Sequence, residues 1–179
     1  MTLVRALQML PVHIDTERLY LRPMTIHDVD DLVALHADPE VSRYMRAFDR
    51  DEAVERLRRD DHDWREYGHG LFALLASDDG RFLGRIALKY WPQFEEAEVG
   101  WVLRRDEWGH GYATEAARAC AAWGFREFEY PYLTAMIRAE NDRSIAVAER
   151  LGMTRLRDDL LFEAPVVVHS VDRARFSNS

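Results

Sequence analysis

The stretch between residues 70 and 105 constrains the fold more than any other part of the chain. It holds three apolar, strand-like runs, GLFALLAS, FLGRIALKYW and AEVGWVLRR, separated only by the turn DDGR and the loop PQFEE. Connections that short cannot carry a parallel crossover, so the three runs are expected to pair as an antiparallel meander. The period then changes. WGHGYATEA sets two glycines in a tight turn and runs straight into an alanine-rich helical segment whose apolar face includes Ala116, Ala117, Cys120, Ala121, Gly124 and Phe128.

The flanks complete the pattern. Upstream, RLYLRPM (18–24) alternates as a half-buried strand, and TIHDVDDLVALHAD reads as a helix capped by Thr25 and halted before Pro39. DRDEAVERLRRDDHDWREYG reads as a second helix, with Val54, Leu57, Trp64 and Tyr67 on one stripe and Gly68 at its end. Downstream come a strand, YLTAMIR, a helix, NDRSIAVAERLG, and two closing strands, MTRLRDDLLFE and VVVHSVDRARF. Strand runs enclosing a βαβα segment predict an α+β (mixed α/β) fold, a mostly antiparallel twisted sheet of about six to seven strands flanked by about four helices.

At 179 residues the chain suits one domain, 1–179. Its 47% hydrophobic and 31% charged residues are ordinary for a soluble globular protein. The net charge of −8 argues against a nucleic-acid surface and mildly favours amine-bearing partners. A single cysteine, Cys120, excludes an internal disulfide and a cysteine-based zinc cluster and suits a reducing cytoplasm. The opening residues lack the unbroken apolar core of a signal peptide, and no run approaches transmembrane length. The expectation is therefore a cytoplasmic protein without a metal, a nucleic-acid partner or a membrane partner. The oligomeric state is open, a homodimer included.

Three classes of site could own the glycine turn. A nucleotide P-loop needs a lysine after its last glycine, and none follows Gly111. A dinucleotide fingerprint needs a third small residue where Thr114 stands, near the start of a parallel sheet, whereas this turn follows a meander. The third class is a turn that serves packing alone. The order AEVGWVLRRDEWGHGYATEA, a strand, then AENDRSIAVAERLGM resembles the two central motifs of the GNAT N-acetyltransferases, in particular the ribosomal-protein N-terminal (Rim-type) branch. TERLYLRPMTIHDVDDL and DPEVSRYM resemble that branch's opening, so the likeness spans about 16–173.

That resemblance implies an acetyl-CoA-dependent transfer of an acetyl group to a primary amine, on a small molecule or a peptide, by direct attack in a ternary complex. It implies that Trp108, Gly109, His110, Gly111, Tyr112, Ala113 and Thr114 cradle the pyrophosphate, with backbone N–H groups and the helix dipole supplying the attraction. The strand Trp101, Val102, Leu103 would pair with the pantetheine arm, and Asn141 and Arg143 would contact the cofactor from the next helix. Trp108 departs from the superfamily's usual Gln or Arg at that position. Glu98 lies where Rim-like sequences place an acid and is the candidate base, sharing a strand face with Gly100 and Val102. Its neighbours Glu95 and Glu96 read as loop acids. The tyrosine that many relatives use to protonate the CoA thiolate is replaced by Ala148, which leaves Ser144 as the candidate acid. Tyr90, Trp91 and Phe94 would border the acceptor. Two alternatives stand beside this reading, an acyl-CoA-binding regulatory module with little turnover and a transferase of another acyl group. His169 reads as a satisfied core or cleft histidine.

Overall fold

The computed structural model describes residues 12–177. Eight strands form one sheet: β1 (Ile14–Asp15), β2 (Leu19–Pro23), β3 (Leu71–Ala76), β4 (Phe82–Trp91), β5 (Glu96–Leu103), β6 (Tyr132–Ile137), β7 (Thr154–Leu161) and β8 (Ala164–Asp172), in the order β1-β2-β3-β4-β5-β6-β8-β7. Every neighbouring pair is antiparallel except β5 and β6. The meander is β3-β4-β5, as the short turns require. The helices are α1 (Val29–Ala37), α2 (Arg50–Tyr67), α3 (Tyr112–Glu127), α4 (Asp142–Arg150) and α5 (Arg173–Ser177).

Local chemistry sets the helix ends. Asp49 and Glu52 form a reciprocal capping box at the start of α2, and Gly68 closes it in the left-handed region at φ 78°. Thr25 caps a single 3-10 turn at Ile26–Asp28 rather than α1 itself, which begins at Val29. Two elements lie beyond the sequence expectation. Residues 14–15 add an edge strand on β2, and the RARF end of the last expected strand turns instead into α5.

β3 is apolar throughout because it is buried on both faces. Phe72 and Leu74 join a core with Ala116, Ala117 and Cys120 of α3, while Leu71 and Ala73 join Leu32 of α1 and Ala53 and Leu57 of α2. The sheet thus separates an α3–α4 side from an α1–α2 side. β5 and β6 hold together at one register position, Glu98 opposite Thr134, and then part. That fork positions everything that follows.

Candidate active site

Beyond the fork, one edge of β5 faces no strand. Arg104 N–H donates to the Leu83 carbonyl of the residue before β4's Gly84, while the Leu103 carbonyl instead accepts the Trp108 indole N–H at 3.0 Å. In an antiparallel ladder the backbone groups of successive residues alternate in direction. Leu103 and Trp101 therefore aim their backbone at the open side, and Val102 aims its own at β4. The Val102 side chain is buried with Leu35 and Val41. Of the three residues expected to meet a pantetheine arm, two present backbone to the gap and Val102 does not.

The glycine turn closes the open side. Gly109 and Gly111 both sit at φ 81°, a conformation that costs other residues roughly 1–2 kcal/mol. Gly111 caps α3 without any side-chain hydrogen bond, and the first intrahelical bond runs from Glu115 N–H to its carbonyl. The N–H groups of Tyr112, Ala113 and Thr114 precede that bond, so they have no intrahelical acceptor and their positive dipole end is free for an anion. Gly109, His110 and Gly111 are exposed. Trp108 anchors the turn to β5 through its indole. His110 stacks on Tyr112 at 5.7 Å.

Sequence reasoning missed the brace beneath this turn. Arg18 donates to the His110 carbonyl at 3.0 Å, lies over the Tyr112 ring at 4.6 Å and pairs with Glu115 at 2.5 Å. Glu115 also accepts from Thr16 Oγ1 at 2.6 Å, which holds its carboxyl below the usual range against the opposing effect of burial. The β1–β2 connection thereby grips the first turn of α3.

α4 starts beside the same turn. The Asn141 side chain accepts from Ser144 N–H at 3.2 Å and caps the helix. The Arg143 guanidinium lies 4.5 Å above the Trp108 ring, so the two motifs quoted from the sequence meet in space. Ser144 is half-buried, and its hydroxyl has no hydrogen-bond partner among the described residues. Ala148, at the position of the family's tyrosine, is fully buried.

On the α1–α2 side, Glu98 fills the crotch of the fork. One carboxylate oxygen accepts the Met136 N–H at 3.1 Å and the other accepts the Trp91 indole N–H at 2.6 Å. The Met136 N–H is a donor that a continuing β5 would have taken; the side chain takes it instead. Burial pushes the Glu98 carboxyl up, and the two hydrogen bonds offset part of that rise. Lys89, its cross-strand partner, shares its face and holds its ammonium 4.2 Å from the Trp91 ring.

A cavity of about 300 Å³ opens between α2 and the end of β4, lined by Arg56, Asp60, Asp63, Lys89, Tyr90 and Trp91 among others. Tyr90 and Trp91 thus line a cavity that adjoins Glu98. Phe94 does not; it packs under the Arg157 guanidinium at 6.0 Å. Asp60, only 4% exposed, accepts the Leu71 N–H at 2.7 Å through one oxygen, and the other has no partner among the described residues. Burial pushes its carboxyl up to about 7.

Three further side chains differ from expectation. Glu96 is a buried strand residue rather than a loop acid, held by both Arg157 terminal nitrogens at 2.8 Å and by the Tyr132 hydroxyl. His169 is buried with its Nδ1 unpartnered among the described residues, so it is not fully satisfied. His69, which the sequence did not flag, is buried between the Leu88 carbonyl at 2.8 Å and the Tyr130 hydroxyl at 2.7 Å. Among the described residues no cluster of His, Cys, Asp or Glu is arranged to hold a metal, and no helix is long and apolar enough to cross a membrane.

Residues 18–154 match the model of the acetyltransferase (GNAT) domain. The chain is 33% identical to the uncharacterized protein YkkB of Bacillus subtilis, over 86% of this chain and 92% of that protein. Its fold is similar to that of an acetyltransferase from Agrobacterium tumefaciens str. C58, at a TM-score of 0.81 and 30% identity over 90% of this chain and 95% of that one. It is also similar to RimL, a ribosomal L7/L12 α-N-protein acetyltransferase solved with coenzyme A, at a TM-score of 0.74 and 16% identity over 90% and 98% of the two chains. A fork beside an exposed glycine turn, on a chain whose greater part matches this domain, has one consistent reading: the protein belongs to the GNAT acetyltransferase family.

Proposed function

We propose that the protein is an acetyl-CoA-dependent N-acetyltransferase whose acceptor is a primary amine, with residues 16–173 as its catalytic domain. The observation that carries this reading is the position of the Glu98 carboxylate, at the point where β5 and β6 part and beside a cavity on the α2 side. The residues present suit the cofactor: an exposed left-handed glycine turn, N–H groups without intrahelical acceptors at the start of α3, and an open strand edge. RimL, of the same fold, was solved in complex with coenzyme A, which supports a coenzyme A thioester as the cosubstrate. When bound, acetyl-CoA supplies an acetyl group activated as a thioester.

The chain's own groups then divide the work. Gly109 to Thr114 hold phosphate oxygens by backbone N–H, and Asn141 and Arg143 flank them. The Trp101 and Leu103 backbone orients the arm by strand addition, and the Trp101 N–H stabilises negative charge on a carbonyl oxygen set beside it. Glu98 takes the proton from the incoming ammonium, since an α-amine has a pKa of about 8 and a lysine of about 10.4. Its raised carboxyl pKa brings it nearer to that task. Ser144, the one hydroxyl of α4, gives the departing sulfur a proton. Tyr90 and Trp91 wall the acceptor. A peptide N-terminus, as the Rim-type resemblance implies, is one acceptor of this class.

A second reading, an acyl-CoA-binding module with little turnover, is favoured by the buried Ala148 in place of the tyrosine. The two separate on one experiment. Purified protein with acetyl-CoA and a panel of amines and peptides is expected to release free CoA, and Glu98→Gln is expected to abolish that release while acetyl-CoA still binds. Binding without release from any acceptor would establish the module instead.

A further inference from the structure

Arg56 and Lys89 line the cavity beside Glu98, Arg85 stands on the same sheet face as Lys89, and none of the three has an acid to pair with. Most exposed arginines of this acidic chain do find one, as Arg81 does with Glu107 and Asp79, and Arg155 with Asp158. Arg56 of α2 and Arg85 and Lys89 of β4 do not, for no carboxylate lies within 4 Å of any of them among the described residues. Arg85 and Lys89 lie two residues to either side of Ala87, on the face that packs against α2, so the three converge under one helix. All three are half-buried. Among the described residues Arg85 has only the His36 ring nitrogen at 3.4 Å, and burial brings that histidine down to about 3, which leaves it neutral.

Burial lowers all three cations, and the Arg56 charge adds to it at Arg85, brought down to about 9, and at Lys89, brought down to about 8, while the cation that repels Arg56 is Arg59. The acids that face them, Asp60, Asp63 and Glu98, stand beyond ion-pair distance, and burial leaves Asp60 uncharged over much of the pH range below 7. A charge held half out of water without an opposite charge in contact is unfavourable, and the chain maintains three in one place. Lys89 is also the only lysine in the sequence. Such a cluster is what a site for an anion requires, and it lies on the face of the sheet opposite α3 and the glycine turn.

We propose that the amine acceptor carries a carboxylate or phosphate, and that Arg56, Lys89 and Arg85 hold this group while Glu98 meets the amine. The inference rests on the amine-transferase reading and narrows its substrate class to anionic amines, such as an amino acid, an acidic peptide N-terminus or an amino-sugar phosphate. The overall negative charge is then a property of the outer surface, and the cleft carries the opposite sign.

Matched acceptor pairs test it: alanyl-aspartate against alanyl-asparagine, and glucosamine 6-phosphate against glucosamine. At least one anionic member is expected to exceed its neutral partner in kcat/KM by about tenfold, the effect of one charge-assisted contact. The preference should act mainly through KM, shrink with added salt, and fall to about threefold or less in Arg56→Gln and in Lys89→Gln. Circular dichroism checks that both variants fold. Calorimetric titration with glutarate, in the presence of saturating CoA, reads the site without turnover. It is expected to show binding that the double variant Arg56→Gln/Lys89→Gln loses. Equal rates within both pairs, a preference that survives both variants, or no glutarate binding to the wild type overturns the inference. So does a preference for succinyl-CoA with neutral amines, which would place the anion on the acyl group. If no acceptor releases CoA, the transferase reading fails, and the glutarate titration still decides whether the anion site exists.

Discussion

The two sides of the β5–β6 fork are built from different materials. On the α3–α4 side the groups that face the gap are backbone: the N–H groups ahead of Glu115, the free edge of β5 and the Gly109 and Gly111 turn. On the α2 side they are side chains: Glu98, Asp60, Arg56, Arg85 and Lys89, drawn from three elements and held partly out of water. A backbone site tolerates substitution wherever φ and packing are kept. A side-chain site does not, and in the proposed reading it is where acceptor identity is set without disturbing the cofactor. Substitutions on each side should therefore separate cofactor affinity from turnover and stability.

The largest effect belongs to Glu98→Gln. The amide keeps the volume of the carboxyl and an oxygen for one of its two donors, but it cannot take a proton from an ammonium. We expect kcat to fall about 10²–10³-fold, within the span of general-base contributions, with acetyl-CoA affinity unchanged by equilibrium titration. A variant that keeps a tenth of wild-type turnover would remove Glu98 from the chemistry. A matching loss of acetyl-CoA affinity would show that the two sides are not separable.

Asp60→Asn comes next and reads stability. In the folded protein the carboxyl titrates near 7, raised by burial from an ordinary value of 3.8. A raised carboxyl pKa means that the native state binds the proton more tightly than the unfolded chain does. Asp60 therefore favours folding least where it must ionise, and its penalty grows as pH rises from about 3.8 to 7 and is complete above that. Asparagine keeps an acceptor for the Leu71 N–H and carries no charge. Urea unfolding should find the variant gaining on wild type by about 2–3 kcal/mol more at pH 8 than at pH 5. A pH-independent difference would mean that the carboxyl ionises freely in the fold.

The same contrast explains what the sequence disclosed. Backbone devices need glycine and a change of period, and both are visible: the turn at Gly109 and Gly111, the helix stop at Gly68, and the ten residues of β4 between two short turns. β1 and α5 were invisible because two residues, or five, are too few to express a period. The α2-side cluster was invisible for a different reason. Arg56 and Asp60 sit in a helix crowded with charges, where a solvated face is the natural reading, and only the tertiary fold lays them over Arg85 and Lys89. Glu98 could be placed on the correct strand face by alternation, but its contact with Met136 depends on a partner strand 38 residues away. Arg18 and its grip on Glu115 span 97 residues and leave no local signal.

Gly111→Ala tests the backbone side at the left-handed glycine that caps α3. At φ 81° a Cβ costs about 1–2 kcal/mol, and the nearest atom it would meet is an Arg18 nitrogen at 3.5 Å, an ordinary contact. The strain has to be relieved by turning the cap, which misdirects the first N–H groups of α3. Acetyl-CoA affinity should fall about tenfold while kcat at saturation changes less, the reverse of the Glu98→Gln pattern. Unchanged affinity would place the pyrophosphate elsewhere.

Leu103→Ile should do least, although it stands in the strand proposed to meet the cofactor. The side chain, 5% exposed, packs in the α3 core, and an exchange of equal volume there costs under about 1.5 kcal/mol. What the strand offers the gap is unaffected: the Leu103 N–H and a carbonyl already shared with the Trp108 indole. Isoleucine changes neither group and suits a β-strand. Steady-state kinetics should therefore show KM for acetyl-CoA and kcat within about twofold of wild type, a change below one hydrogen bond's worth. A folded Leu103→Ile variant that loses tenfold or more would mean that this side also depends on side-chain shape.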